Sequence, residues 1–144
     1  EILKLCKGKI GIYLDLKEAD IKGQVQTIKA FKMEKDIVWY IYPKEREAIQ
    51  ELKRYCPECL VMLDPGNERR LKKVLNRIKP KFVASDMGVL TPTFLTTAYS
   101  QEVKVFVDDA AANTNEWQKI IDWGVDGIQT NHPQELIDFL NRKK

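Results

Sequence analysis

The stretch IGIYLD, residues 10–15, sets the pattern of this chain: a short apolar, β-branched run ends on an acidic or polar residue and is followed by an amphipathic helical stretch. The pattern occurs six times, and the other five runs are IVWYIY at 37–42, LVMLD at 60–64, FVASD at 82–86, VKVFVD at 103–108 and VDGIQT at 125–130. With 144 residues in all, a unit averages about 24 residues, which is close to a minimal strand–helix pair with short loops. The sequence therefore predicts consecutive βα units.

The apolar spacing within each unit predicts the boundaries of its elements. Strands are predicted over residues 9–16, 36–42, 59–63, 81–85, 103–107 and 126–129. Helices are predicted over residues 21–32, 44–55, 68–78, 116–123 and 134–140, and Thr91-Pro92 favours a further helix within residues 87–100.

The strand runs are apolar at nearly every position, which is typical of a parallel sheet covered on both faces. Two architectures fit such units: a doubly wound open sheet and a (β/α) barrel. The junction after the first strand, DLKEAD at residues 15–20, contains no glycine-rich phosphate loop, and no P-loop motif occurs elsewhere. This favours a fold of the (β/α) TIM-barrel type, although such barrels usually have eight units.

Composition indicates one soluble domain over residues 1–144, because 44% of the residues are hydrophobic and 31% are charged. A net charge of +3, with lysines spread along the helices, favours no nucleic-acid partner. No apolar run approaches the roughly 18 residues of a membrane span, so no transmembrane segment is predicted. The start at Glu1 suggests a piece of a longer or processed polypeptide, which leaves the compartment open between cytoplasm and periplasm or extracellular space.

Three cysteines are present, and an odd, low count argues against a disulfide framework. Cys56 and Cys59 have CxxC spacing, but they follow the end of a predicted helix, where the helix dipole would raise rather than lower a thiol pKa. A zinc site would need about four ligands, and Cys6 and His132 are the only further Cys and His. Unpaired structural cysteines are favoured, with a disulfide or a metal site as the alternatives.

In a barrel, acidic residues at the strand ends would gather at one rim. Converging carboxylates repel one another, and a divalent cation of the Mg²⁺ or Ca²⁺ type is one usual resolution. Asp15 and Lys17 lie two residues apart on one predicted strand, so both side chains point to the barrel interior. A lysine there predicts a functional role, and a lysine beside a cation suits phosphate chemistry.

Other polar residues favour structural roles. Asp64, Asp86 and Asp126 follow or begin strand runs and are predicted to cap the next helix. His132, the only histidine, precedes Pro133 and is predicted to be a loop residue rather than a catalyst. The sequence contains no GxSxG, HExxH or kinase signature.

Two segments resemble glycerophosphodiester phosphodiesterases. GIYLDLK at residues 11–17 resembles the strand of that family with the pattern apolar–Glu–apolar–Lys. WGVDGIQTNHP at residues 123–133 resembles the closing signature of the family, Gly-Val-Asp-Gly-Ile followed by Thr-Asp and Pro, and this second match is the more specific. The resemblance covers essentially the whole chain.

The resemblance implies a (β/α)₈ barrel that hydrolyses glycerophosphodiesters to an alcohol and glycerol phosphate, with Mg²⁺ or Ca²⁺ as cofactor. Asp15 then stands at the position of a metal-ligating Glu, and Lys17 stands at that of an active-site Lys near the phosphate, so Lys17 is expected to be catalytic and substrate-binding. Phe106 and Asp109 fall where many members carry pocket residues and are expected to contact substrate. Asn131 replaces the usual Asp of the closing motif.

The chain lacks the His-Arg-Gly motif that the family carries early in the sequence, and with it the Glu-x-Asp pair that follows that motif and the second His. The six units are therefore expected to be strands three to eight, the C-terminal three quarters of an eight-unit barrel. Without these histidines we expect no activity from this chain alone. Exposed edge strands also suggest self-association or dependence on the missing N-terminal part.

Alternative functions and folds remain at this point. The chain could be a naturally truncated, non-catalytic module that binds phosphodiesters or polyols, or a scaffold on the same fold. It could also be an unrelated flavodoxin-like domain with a ligand at a topological switch point, which strand order distinguishes from a sequential barrel arrangement.

Overall fold

The computed structural model describes residues 1–17, 20–108 and 113–142. The helices in this part are α1 (Ile2–Cys6), α2 (Ile21–Phe31), α3 (Arg46–Tyr55), α4 (Glu68–Ile78), α5 (Pro92–Tyr99), α6 (Thr114–Asp122) and α7 (Pro133–Asn141). The strands are β1 (Ile12–Asp15), β2 (Ile37–Ile41), β3 (Leu60–Leu63), β4 (Phe82–Asp86), β5 (Lys104–Asp108) and β6 (Gly127–Gln129). The predicted alternation of strand and helix is confirmed; α1, before the first strand, was not predicted.

The chain divides into two compact units, Glu1–Asp64 and Pro65–Lys144, called unit 1 and unit 2 below. The single domain expected over residues 1–144 stays a prediction. No helix in the described ranges is both long enough and apolar enough to span a membrane.

In unit 1 the strands β1, β2 and β3 are parallel and lie side by side in chain order. The register pairs Asp15 with Tyr40 and Tyr40 with Met62, so these three side chains project from the same face of the sheet. The opposite face is buried: Trp39 and Ile41 are fully shielded from solvent.

The buried face of unit 1 forms a core with its helices. Ile21, Val25 and Ile28 of α2 and Ile49 and Leu52 of α3 are buried, at the helical spacing that the sequence predicts. Burial along β2 alternates strictly, and no residue of β1 is buried. The expectation that strands are covered on both faces is therefore wrong for these two strands, because the face with Asp15 and Tyr40 is partly open to solvent.

In unit 2 the strands β4, β5 and β6 are likewise parallel and in chain order. Residues Val83, Val105 and Val107 of its strands are buried against apolar residues of the helices, among them Phe94 and Ile120. The polar residues Asp86, Asp108 and Gln129 end these strands at one edge, as parallel pairing requires.

Several helices begin at a side-chain cap. The Asp20 carboxylate accepts the backbone N–H of Gly23 at 2.9 Å, and Asn67 accepts that of Arg70 at 3.0 Å. Thr91 caps α5 in the same way, followed by Pro92 in the first turn, as the sequence predicts.

Cys56 and Cys59 form a disulfide at the end of α3, whereas Cys6 is free. The sequence-based preference for unpaired cysteines is thus wrong. That preference rested on the odd, low cysteine count and on thiol reactivity, whereas pairing depends on backbone geometry. The Cys59 N–H donates to the Cys56 carbonyl at 3.1 Å in a tight turn, which brings the two side chains together.

Unit 1 provides a matched test of its core. Leu52 of α3 is fully buried, whereas Leu5 of α1 is 68% exposed. Leu52→Ala should lower the free energy of unfolding by about 2–5 kcal/mol because it leaves a cavity. Leu5→Ala, which removes the same atoms from an exposed site, should change it little, and urea titration followed by circular dichroism measures both. Equal effects of the two changes would contradict this core.

Candidate functional site

The carboxyl edge of unit 1 brings an acid and a base together. Asp15 ends β1, and the Nζ of Lys17 lies 2.6 Å from its Oδ2. The Asp15 side chain is 39% exposed and the Lys17 side chain is 70% exposed. The hydrogen bond to Asp15 is the main cause that raises the pKa of the Lys17 ammonium; desolvation opposes it, and the charge of the Asp15 carboxylate adds to the rise. Lys17 is therefore held as a cation at the end of the strand.

Three tyrosines line the sheet face beside this pair. The rings of Tyr13 and Tyr40 are stacked with centroids 5.5 Å apart, and Tyr42 meets Tyr40 edge-on at 5.4 Å. Tyr42 follows β2 directly, and the Nζ of Lys44 lies 5.4 Å above its ring. The edge therefore combines aromatic surface with two ammonium groups.

A second acidic residue is tied into this cluster. The Tyr40 hydroxyl donates a hydrogen bond to Oδ2 of Asp64 at 3.3 Å. Partial burial and then the negative charge of Asp64 raise the pKa of Tyr40 above its ordinary value. The phenol therefore stays protonated and remains a hydrogen-bond donor throughout the neutral range. We call Asp15, Lys17, Tyr40, Tyr42 and Asp64 the edge cluster.

In unit 2, Phe106 lies on the sheet face that is opposite the valine core. Its ring meets Phe82 edge-on with centroids 5.9 Å apart. It also lies over Gly127, where a Cβ would overlap the ring. Gly127, part of the closing segment that suggested the family, thus makes room for Phe106. The expected substrate contact by Phe106 stays a prediction, and Asp109 lies outside the described residues.

The donors in the described part of the chain do not fit a metal centre. No three His, Cys, Asp or Glu residues gather there into a group that could hold an ion. Asp15 and Asp64 each already have a donor, Lys17 and Tyr40. We therefore assign no chemical step to a cation, and Asp15 as a ligand of Mg²⁺ or Ca²⁺ stays a prediction from the resemblance.

The prediction that Asp64, Asp86 and Asp126 cap the following helices is wrong. Asn67 and Thr91 cap α4 and α5, and His132 occupies the N-cap position of α7 without a side-chain cap bond. The Asp126 carboxylate instead accepts the backbone N–H of Val105 at 2.9 Å and so ties β5 to the segment that leads into β6. Its partner lies on a neighbouring strand and is therefore invisible to local sequence rules.

His132 lies in the loop before α7, as predicted. Its Nδ1 is 3.4 Å from Oε1 of Glu135 within the first turn of that helix, and its backbone N–H donates to the Thr130 hydroxyl at 3.1 Å. These contacts are local to the start of α7 and give His132 a structural role there.

Sequence reasoning found Asp15 and Lys17 but missed the tyrosines. Tyr40 and Tyr42 are two residues apart in the run IVWYIY, so they share a face of the strand. Tyr13 likewise alternates with the less exposed Ile12 and Leu14. Aromatic residues at every second position were the available signal.

The Tyr40–Asp64 contact predicts a particular pH dependence. Because folding raises the pKa of Tyr40, its contribution to stability is complete below the ordinary tyrosine pKa of about 10 and decreases as the pH rises above it. Tyr40→Phe should therefore make the free energy of unfolding fall less steeply above that pH. Urea titrations at several alkaline pH values measure the slope, with Tyr55→Phe as the control. Equal slopes for wild type and Tyr40→Phe would contradict the contact.

Comparisons of sequence find no match: no protein-family model matches the chain, and no curated protein does. Comparison of folds gives a clear result. A glycerophosphodiester phosphodiesterase from Agrobacterium tumefaciens superposes on 97% of this chain with a TM-score of 0.84 and 17% identity. Another, from Parabacteroides distasonis, superposes on 99% with a TM-score of 0.78 and 22% identity.

A third similar structure is a phosphodiesterase from Oleispira antarctica in complex with its product sn-glycerol-3-phosphate, with a TM-score of 0.72 and 13% identity over 91% of this chain. This chain spans only 59%, 63% and 55% of the three neighbours' own lengths. At these identities the likeness establishes the fold: six consecutive βα units of the TIM-barrel type, as solved for glycerophosphodiester phosphodiesterases.

Proposed function

We propose that this chain is part of a phosphodiesterase barrel of the glycerophosphodiester phosphodiesterase family and that its edge cluster binds the phosphate of a glycerophosphodiester. The observation that carries this proposal is the superposition of nearly the whole chain on such enzymes. One of the neighbours binds sn-glycerol-3-phosphate. The location of the cluster supports the proposal, because the carboxyl ends of strands are where barrels of this type place their chemistry.

Lys17 is the residue proposed to contact the phosphate. Its ammonium has three hydrogen-bond donors, so it can remain paired with Asp15 and still donate to a phosphate oxygen. A fixed positive charge also favours the transition state of diester cleavage, in which negative charge grows on the non-bridging oxygens. Asp15 serves to position the ammonium and to keep it charged.

The tyrosines are proposed to hold the organic part of the ligand. The Tyr40 hydroxyl is engaged with Asp64. Tyr13 and Tyr42 are exposed and are the two tyrosines proposed to offer ring surface to a ligand. A ring face suits the C–H surface of a glycerol moiety. The hydroxyls of the glycerol can then reach the carboxylates at the edge of the sheet. Phe106 and Asp109 remain proposed substrate contacts from the resemblance alone.

A second function is favoured by one observation: the chain contains a single histidine, and that residue is engaged at the start of α7. A non-catalytic module that binds phosphodiesters or polyols needs no acid–base pair. If the polyol is what such a module recognises, it binds glycerol and sn-glycerol-3-phosphate with similar affinity. The phosphodiesterase proposal requires a strong preference for the phosphorylated ligand.

Binding of sn-glycerol-3-phosphate tests the role of Lys17. Isothermal calorimetry should show a loss of about tenfold in affinity for Lys17→Met, because one charge-assisted contact is removed, and partial retention for Lys17→Arg. Lys35→Met, an exposed lysine remote from the edge cluster in sequence, is the matched control and should leave affinity unchanged. No binding by wild type, or equal binding by Lys17→Met, would overturn the assignment.

Turnover is a separate test. The 144-residue chain should not hydrolyse glycerophosphodiesters in the presence of Mg²⁺ or Ca²⁺, because one histidine cannot supply both a general acid and a general base. Release of alcohol, followed by a coupled assay, measures this. Cation-dependent turnover that Lys17→Met abolishes would show that the chain carries a complete active site of another design.

A further inference from the structure

The segment that forms α4 has the highest concentration of positive charge in the chain. Residues 68–81 contain seven Lys or Arg and one Glu, a net charge of +6, whereas the whole chain carries +3. Six of these basic residues lie on α4 or at its C-cap, and all six are exposed. The basic surface consists of Arg69, Arg70, Lys72, Lys73, Arg77 and Lys79.

Helix stability does not account for this surface. The one ion pair found for it in the described structure joins Lys72 to Glu68 at 3.8 Å. Arg69 and Lys73, and likewise Lys73 and Arg77, are like charges four residues apart, a spacing at which repulsion destabilises a helix. The preceding helix, α3, differs from α4 because it contains Glu residues as well as Lys and Arg.

Packing holds the basic side chains outward. Leu71, Val74 and Leu75 of α4 are buried in the core of unit 2. At 3.6 residues per turn, the five basic residues of the helix fall on an arc of about 160° on the opposite side. The apolar side of α4 is thus occupied by the protein's own core, and its outer side is free for electrostatic contact.

An apolar groove lies elsewhere in unit 2, at α5 and Trp123, and no residue of α4 is among those that line it. α4 packs on α5, and the groove is lined by Pro92, Leu95, Thr96, Tyr99 and Trp123. The hydroxyls of Thr96 and Tyr99 donate to the carbonyls of Pro92 and Gly124, at 2.9 and 2.8 Å, so the groove offers a partner mainly apolar surface. Lys119 lies 4.7 Å above the Trp123 ring and adds a further positive charge. Tyr and Trp beside cations are typical of the boundary between a membrane and water.

We propose that the basic surface binds the headgroups of an anionic lipid bilayer. Clusters of four to eight Lys or Arg on a helix attract acidic lipid headgroups, and the six exposed basic residues of this surface form such a cluster. A nucleic acid fits less well. Residues 68–81 contain no aromatic residue for base stacking.

Vesicle sedimentation tests the proposal. The test variant carries Arg69→Gln, Arg70→Gln, Lys73→Gln and Arg77→Gln. The control carries Lys4→Gln, Lys7→Gln, Lys9→Gln and Lys35→Gln, the same change in charge at exposed lysines of unit 1. Wild type should bind phosphatidylcholine vesicles containing about 30% phosphatidylserine at least about tenfold more tightly than phosphatidylcholine alone. The test variant should lose this preference, and the control should keep most of it.

Ionic strength and a variant of the edge cluster provide two further tests of vesicle binding. Raising the ionic strength from about 0.05 to 0.5 M should release wild type, because the charges are exposed and screened, and Lys17→Met should bind vesicles as wild type does. The proposal is overturned by equal losses in both four-site variants, by no preference for phosphatidylserine, or by tighter binding to a duplex oligonucleotide than to vesicles at equal salt. Circular dichroism shows whether the variants fold. If the test variant does not fold, release of wild type from the vesicles at high salt is the observation that decides for or against the proposal.

Discussion

The register between β1 and β2 is the constraint on which the rest of unit 1 depends. Asp15 pairs with Tyr40, and this places Trp39 and Ile41 on the buried face and Tyr40 and Tyr42 on the other. Because side chains alternate along a strand, a slip of β2 by one residue would move Tyr40 and Tyr42 into the core and Trp39 and Ile41 to the opposite face. Core and candidate site are therefore fixed by the same set of backbone hydrogen bonds.

Two registers set the electrostatics of the edge cluster: β1–β2 places Asp15 beside Tyr40, and β2–β3 brings Asp64, which follows β3, to the same edge. Each carboxylate has a donor: Lys17 for Asp15 and Tyr40 for Asp64. Carboxylates that are paired in this way repel one another less, so crowding of acids at strand ends does not by itself require a cation. The sequence identified Lys17 as a neighbour of Asp15 but did not reveal the Tyr40 donor to Asp64, and cation binding by Asp15 stays a prediction.

The sequence predicted local periodicity well and cross-strand contacts poorly. α4 is found at Glu68–Ile78, the residues predicted, because its apolar spacing, its Asn67 cap and Pro80 are all local signals. Asp126 was predicted to cap a helix, yet its partner is the Val105 N–H, 21 residues earlier in the chain. The stacking of Tyr13 on Tyr40 is a further cross-strand contact that the sequence did not reveal. The Cys56–Cys59 pair was missed for a different reason: it is local, in a tight turn after α3, and the cysteine count and thiol reactivity were the wrong criteria.

α4 shows how one helix can serve two constraints that do not compete. Its inner residues are fixed by packing, since Leu71 and Leu75 are fully buried. The outer residues do not contribute to the core. Selection for stability alone would place acids among those outer bases, because pairs of opposite charge four residues apart stabilise a helix. Arg69 and Lys73 instead repel each other on a helix whose inner residues are buried. A cost of that kind is expected where an external anionic surface, absent from the isolated fold, supplies the missing counter-charge.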